Sequence, residues 1–211
     1  MTTSFKNVTP SGPGGPATLL IVLSFTGFLL LTQSLFVVPS GEVAVVTTLG
    51  KVSGTPRKPG LNIKLPFIQS IFPFDVKTQV QPEQFETLTK DLQVIKATAT
   101  IKYAIKPSEA GVIFATIANR NSEVYRKIVL PSLLKSLKSV FSQYELETIA
   151  TEWNAISERI AETVTEELNT FGYVEVQALD LTGLEIAEEY RAAIEQKQIA
   201  GQQLLRAKTE V

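Results

Sequence analysis

The sequence predicts an α+β fold carried behind an apolar N-terminal helix. Three observations lead there. Residues 17–38 run for 22 positions without a charge, residues 42–105 repeat apolar side chains largely with the two-residue period of strands, and residues 107–171 change to helical spacing before one more strand-like run at 173–181. A block of strands followed by a block of helices predicts a twisted antiparallel sheet packed with helices, not alternating parallel units.

The first element is preceded by residues 1–16, MTTSFKNVTPSGPGGP, whose three prolines and three glycines read as a flexible tail. Ala17–Val38 follows. At about 1.5 Å per residue it makes a helix of about 33 Å, against a hydrocarbon core of about 30 Å. Leu19, Leu20, Ile21, Leu23, Phe25, Phe28, Leu29, Leu30, Leu31, Leu35 and Phe36 leave it no polar face, whereas a buried core helix of a soluble domain, the competing reading, seldom needs every face apolar. A cleaved signal would show a basic start and a small-x-small site, whereas Pro39-Ser40-Gly41-Glu42 follows Val38. The expectation is a retained transmembrane helix over residues 17–38 and a single-pass membrane protein. The flanking charges do not fix which side carries the large domain.

Charge is unevenly spread. Residues 1–140 hold 15 Lys/Arg and 7 Asp/Glu, residues 141–211 hold 5 and 14, and the whole chain has a formal net charge of −1. A basic part near the apolar helix suits anionic lipid headgroups, the acidic far end argues against nucleic acid, and head-to-tail attraction between copies would use the same asymmetry. The chain has no Cys and no His. Thiol nucleophiles, disulfides, thiolate zinc sites and imidazole bases are thereby excluded.

The strands come next. Glu42–Leu49 is rich in β-branched residues and is closed by Gly50; Lys58-Pro59-Gly60 is a turn signal. Leu61-Asn62-Ile63-Lys64-Leu65 alternates, so Leu61, Ile63 and Leu65 are expected in a core and Asn62 and Lys64 in water. The apolar cluster 66–74 lies soon after the span, which suggests Phe67, Ile68, Phe72 and Phe74 as candidates for a membrane-interface role, with the core of a small β domain as the competing reading. Phe85–Thr89 leads through Lys90-Asp91 to a long strand in which Ala97, Ala99, Ile101, Tyr103 and Ile105 share one face. Val43, Val45, Ile63, Leu65, Ile101 and Tyr103 are the predicted core of this part, with Lys64 and Lys102 solvent-facing or paired.

Pro107 opens a helix carrying Ala110, Ile113, Phe114, Ile117 and Ala118. A second helix runs from Val124 to Tyr144 with Pro131 inside it, demanding a kink or a restart. A third carries Ile149, Trp153, Ile156, Ile160, Val164, Leu168 and Phe171 and ends at Gly172, with Trp153 as a core anchor. After the strand Tyr173–Leu181, residues 184–211 read as the start of a long coiled-coil-like helix. Ala193, Ala200 and Ala207 recur every seven residues beside Tyr190 and Leu204, a seam suited to an oligomer interface in a homo-oligomer.

These residues resemble a known family. Val38-Pro39-Ser40-Gly41-Glu42-Val43-Ala44-Val45-Val46, Leu49-Gly50-Lys51-Val52, Lys58-Pro59-Gly60-Leu61 and Lys64-Leu65-Pro66-Phe67 look like the opening of the band-7, or SPFH, domain of stomatins, prohibitins and flotillins. Leu88-Thr89-Lys90-Asp91-Leu92 looks like its central strand entry. Val129–Val140 and Ala192–Ala200 are similar to the prohibitin branch. The resemblance covers about residues 36–211 and implies an SPFH domain over residues 39–183. It implies a membrane-anchored scaffold whose copies form rings or cages on a lipid bilayer, organise microdomains and regulate membrane-bound AAA proteases. It implies no cofactor and no reaction.

Two other readings stay open beside the scaffold. One is a monomeric or low-order lipid-binding module. The other is a membrane-associated serine hydrolase, for which Ser132, Ser136, Ser139, Lys135 and Lys138 could supply a Ser and Lys pair, although the spacing is common and no nucleophile elbow accompanies it.

Overall fold

In the computed structural model the described residues are 16–186 together with Ile199 and Gln203. The apolar N-terminal run is divided between two elements. Helix α1 covers Pro16–Ser34, and the chain then extends into strand β1, Leu35–Val38. Among the described residues no helix is long and apolar enough to cross a membrane. This overturns the transmembrane helix expected over Ala17–Val38, and with it the single-pass placement and the lipid-bilayer partner. The membrane-anchored scaffold, the ring and the AAA-protease partnership lose the anchor on which they rested.

What the last four residues of the run do instead is pair. β1 lies antiparallel to β4, Gly60–Ile63, with Leu35 opposite Ile63 and Val37 opposite Leu61, as a separate two-stranded ribbon. The Lys64 N–H donates to the Ser34 carbonyl at 2.8 Å, tying the ribbon to the end of α1. The turn before β4 uses Gly60 at φ +116°, a conformation that a side chain would oppose. The Asn62 amide donates to the carbonyls of Lys58 (2.9 Å) and Gly60 (3.0 Å), so this polar side chain is spent on its own turn.

The strand β2, Glu42–Thr48, is central to a second sheet, between β3 (Lys51–Val52) and β5 (Gln69–Asp75), all antiparallel. Val43 to Val46 are buried without alternation, as expected of a strand covered on both faces. Phe74 on β5 is fully buried, and Phe72 packs at 4.5 Å, centroid to centroid, on Phe114 of helix α2 (Ala110–Thr116).

A third sheet has the order β6 (Gln79–Leu88), β7 (Val94–Ile105), β8 (Val174–Ile186). The inner face of β7 agrees with its alternation: Ile95, Ala97, Ala99, Ile101, Tyr103 and Ile105 are all buried. Outward, Lys102 pairs with Asp180 of β8 at 2.9 Å. β8 runs five residues beyond Leu181, where the sequence predicts its end, because Gly183 at φ +66° lies in a bulge, after which pairing resumes at Glu185 and Lys96. The helix expected from residue 184 therefore has no helical residue before 187, and the rest of it lies almost wholly outside the described residues.

Two runs of helix cover that inner face. Asn121–Val124 (α3) passes through a π-helical turn, Tyr125–Val129, into α4, Leu130–Phe141. The wider turn answers Pro131: the sequence demands a kink or a restart, and the π-helical turn carries the missing N–H and the ring without ending the run. α5 (Leu146–Thr151) and α6 (Trp153–Phe171) follow, with α6 ending at Gly172 as its spacing predicts. Leu133, Leu137 and Phe141 of α4 and Ile156, Ile160, Val164 and Leu168 of α6 close one continuous core over β7. Trp153 is half-buried against that core, 6.4 Å from Phe141, in the anchoring role expected of it.

The β6–β7 hairpin tip is fixed to the helical side. One Asp91 oxygen accepts from the Thr89 hydroxyl (2.6 Å) and from the Leu146 N–H (3.1 Å), and the Lys90 N–H donates to the Tyr144 carbonyl (2.9 Å).

Candidate functional site

The surface least explained by stability surrounds α1 and the β1–β4 ribbon. Leu19, Leu20, Leu23, Phe25, Phe28 and Leu31 of α1 are all exposed, and they point around the whole helix. Leu35, Val37, Leu61 and Ile63 stand on one face of the ribbon by their pairing, and all four are exposed. This reverses the expectation for Leu61, Ile63 and Leu65, which is corrected here: they face outward while Asn62 and Lys64 are half-buried. β4 pairs only with β1, outside the β2 sheet, and the turn bonds of Asn62 hold its polar side chain inward. The other four predicted core residues, Val43, Val45, Ile101 and Tyr103, are buried.

Next to the ribbon, two neighbouring turns add apolar tips. Leu49 is 82% exposed at φ +50° and Phe67 is 85% exposed at φ +67°. The Leu49 N–H donates to the Ile68 carbonyl at 2.9 Å, which places the two turns side by side. Positive φ costs a non-glycine residue about 1–2 kcal/mol, and here each costs that in order to hold a large apolar side chain in water.

The four candidates for an interface role are thus split by the fold. Phe67 and Ile68 are exposed on this surface, whereas Phe74 and Phe72 belong to the core against Phe114 and are removed from it. Leu49, Leu61, Ile63 and Leu65 join it in their place. Leu49 could have been found from sequence, since Gly50 and Lys51 directly after it mark a turn, where strand alternation no longer assigns a face. The seam residues Tyr190, Ala193, Ala200, Leu204 and Ala207 lie outside the described residues.

Of the Ser and Lys candidates, Ser132 and Ser136 are on the buried face of α4, the Lys135 ammonium is engaged by Glu167 of α6 at 2.7 Å, and Lys138 and Ser139 are exposed. Among the described residues no group of three or more His, Cys, Asp or Glu is placed to hold a metal ion.

Comparison with known proteins agrees with this architecture. Residues 36–211 match the model of the SPFH domain / Band 7 family. The chain belongs to that family. It is 30% identical to Prohibitin-2, mitochondrial, of Arabidopsis thaliana over 213 residues, covering 97% of this chain and 72% of the relative. Prohibitin-6, mitochondrial, of the same plant is 27% identical, covering 97% and 71%, and Prohibitin-2 of Gallus gallus is 29% identical, covering 94% and 66%.

Away from the apolar surface, two neighbouring tyrosine hydroxyls are each hydrogen-bonded across the fold. The Tyr103 hydroxyl donates to Gln79 Oε1 and the Tyr125 hydroxyl to Glu83 Oε2, each at 3.0 Å, with the rings stacked 6.1 Å apart. Burial pushes Tyr103 up to about 12; burial and then the Glu83 carboxylate raise Tyr125 further. Both phenols are neutral near pH 7 and act as donors that fasten β6 to β7 and to the π-helical turn. A phenol whose folded pKa lies above its unfolded value near 10 binds more protons folded than unfolded between the two values, so its contribution is complete below pH 10 and is lost as pH climbs through the folded pKa. The domain is therefore expected to lose stability from about pH 10 upward. Tyr103→Phe should flatten that decline; urea midpoints at pH 8 and pH 11 that fall equally in both proteins would refute it.

Proposed function

We propose that this chain is a prohibitin-branch member of the band-7 family that works as a lipid-binding module, alone or in a small oligomer, and carries out no reaction of its own. The observation that carries the reading is the apolar surface formed by α1, the outward face of the β1–β4 ribbon and the tips Leu49 and Phe67. Contiguous apolar surface of this kind marks an interaction site. A protein partner would ordinarily meet an apolar centre ringed by polar groups that fix orientation. α1 has apolar side chains on every side and no such ring along its length, which suits acyl chains, whose contact is non-directional. The prohibitin relatives support the branch.

The test is particle mass in lysophospholipid micelles by light scattering after chromatography. A complex of lipid with one or a few copies is expected. Protein eluting without lipid overturns the reading, as does lipid held only in assemblies of many copies.

A further inference from the structure

We infer that the free edge of β6 binds an extended peptide of a partner protein as a fourth, antiparallel strand, with apolar side chains beside Leu88 and Val94 and carboxylates toward Lys138. β6 belongs to a different sheet from the ribbon β1–β4, and among the described strands it pairs with β7 alone. The Thr89 N–H donates to the Gln93 carbonyl at 3.0 Å, which sets the phase of the β6–β7 ladder. Thr87 opposite Ile95 and Phe85 opposite Ala97 are then the bonded pairs. The residues between them, Gln84, Glu86 and Leu88, therefore turn their N–H and C=O groups away from β7. Pro82 has the same phase, so its missing N–H lies on the free side, where a strand tolerates proline. The open edge thus runs from Gln84 to Leu88.

A groove of about 580 Å³ lies between the hairpin end of that edge and α4. Leu88 and Val94, opposite one another in the ladder and both exposed, give it an apolar wall, and Lys138, Ser139 and Ser142 line the other side. Lys138 forms no ion pair among the described residues, unlike Lys90, Lys96, Lys102, Lys127 and Lys135. A row of N–H and C=O groups at strand spacing is matched in full by another extended backbone, and an acyl chain has nothing to offer it. An added strand places every second side chain on the outward face beside Leu88, and those between beside Thr87, toward α4 and its unpaired lysine. Apolar outward and carboxylate inward is the alternation that fits. A second copy of this chain fits less well, because β6 paired with itself over Gln84–Leu88 sets Glu86 opposite Glu86, and like charges directly opposite are destabilising.

The probe is the peptide fluorescein-Thr-Ile-Glu-Ile-Glu-Ile-Thr-amide, titrated with the full chain in lysophosphatidylcholine micelles and followed by fluorescence anisotropy against micelles alone. Saturable binding is expected. The same peptide methylated on its Ile nitrogens should lose it, because in an antiparallel pairing the residues opposite Gln84, Glu86 and Leu88 are the ones that donate to the edge. Glu86→Pro removes one outward donor at a position of the same phase as Pro82, and should weaken binding by about 2–10-fold with circular dichroism unchanged. Exchanging both Glu of the peptide for Lys should weaken binding by about 2–5-fold, and in Lys138→Glu the order of the two peptides should reverse, which a merely structural role for Lys138 would not produce. Absence of saturable binding, or binding that survives methylation and Glu86→Pro, overturns the inference. Equal affinity for the Glu and Lys peptides overturns the carboxylate pattern, as does an order that Lys138→Glu leaves unchanged. A natural chain that elutes as a pair split by Glu86→Pro also overturns the inference, by putting a second copy on the edge.

Discussion

Replacing Phe141 with alanine is expected to lower the free energy of unfolding by about 3–5 kcal/mol. Phe141 is fully buried at the end of α4, 5.7 Å from Phe85 on β6 and 6.4 Å from Trp153 at the start of α6, measured between ring centroids. It is where the sheet, the first helical run and the second meet, so no single neighbour can move to fill the space. The loss therefore combines the transfer energy of the ring with a cavity that closes only in part. Against a typical total of about 5–15 kcal/mol, that is a large fraction. Urea unfolding should show a lower midpoint with an unchanged slope. Lys138→Ala, one turn earlier on the exposed side of α4, should stay within about 0.5 kcal/mol of the natural protein. Equal midpoints for the two variants would mean that α4 does not seal the core as described.

Phe141 also shows how far the sequence can be read. Its spacing with Leu133, Leu134 and Leu137 predicts the buried face of α4, and Ile156, Ile160, Val164 and Leu168 do the same for α6, because a helix buried on one side must repeat that side every three or four residues. Ala97–Ile105 is legible for the equivalent reason in a strand. Leu61, Ile63 and Leu65 show the limit. Alternation reveals that the three share a face but says nothing of which face turns inward, and that is decided by a partner strand, β1, drawn from an uncharged run. Within Leu35-Phe36-Val37-Val38 no polar residue announces the change from helix to strand, since both states can be wholly apolar. Gly183 misleads in a similar way: it reads as a stop, yet pairing across the sheet from Lys96 carries β8 past it as a bulge. The backbone conformation of the exposed tips is the least legible part. Positive φ at Leu49 and Phe67 is imposed by their turns and cannot be inferred from residues that disfavour it.

That strain gives the second large effect, with opposite signs for folding and for binding. Phe67→Gly removes a side chain that is 85% exposed, so almost no packing is lost. The folded state gains about 1–2 kcal/mol by relief of a left-handed conformation at φ +67°. Glycine gives back about 0.5–1 kcal/mol through the freedom it adds to the unfolded chain. The net expectation is a domain as stable as the natural one or about 1 kcal/mol more so. Lipid binding should move the other way. If the ring inserts among acyl chains, its burial is worth about 1.5–3 kcal/mol, and its removal weakens binding to lysophospholipid micelles by about 10–150-fold. Phe74→Ala supplies the contrast, because Phe74 is fully buried between β2 and α2: it should cost about 3–5 kcal/mol of stability and, while the domain remains folded, leave micelle binding near its natural value. Chemical unfolding and micelle titration of the two variants side by side separate the roles. A Phe67→Gly protein that unfolds more easily would show that the ring packs within the fold, and one that binds micelles as tightly as before would take this turn out of the lipid-binding surface.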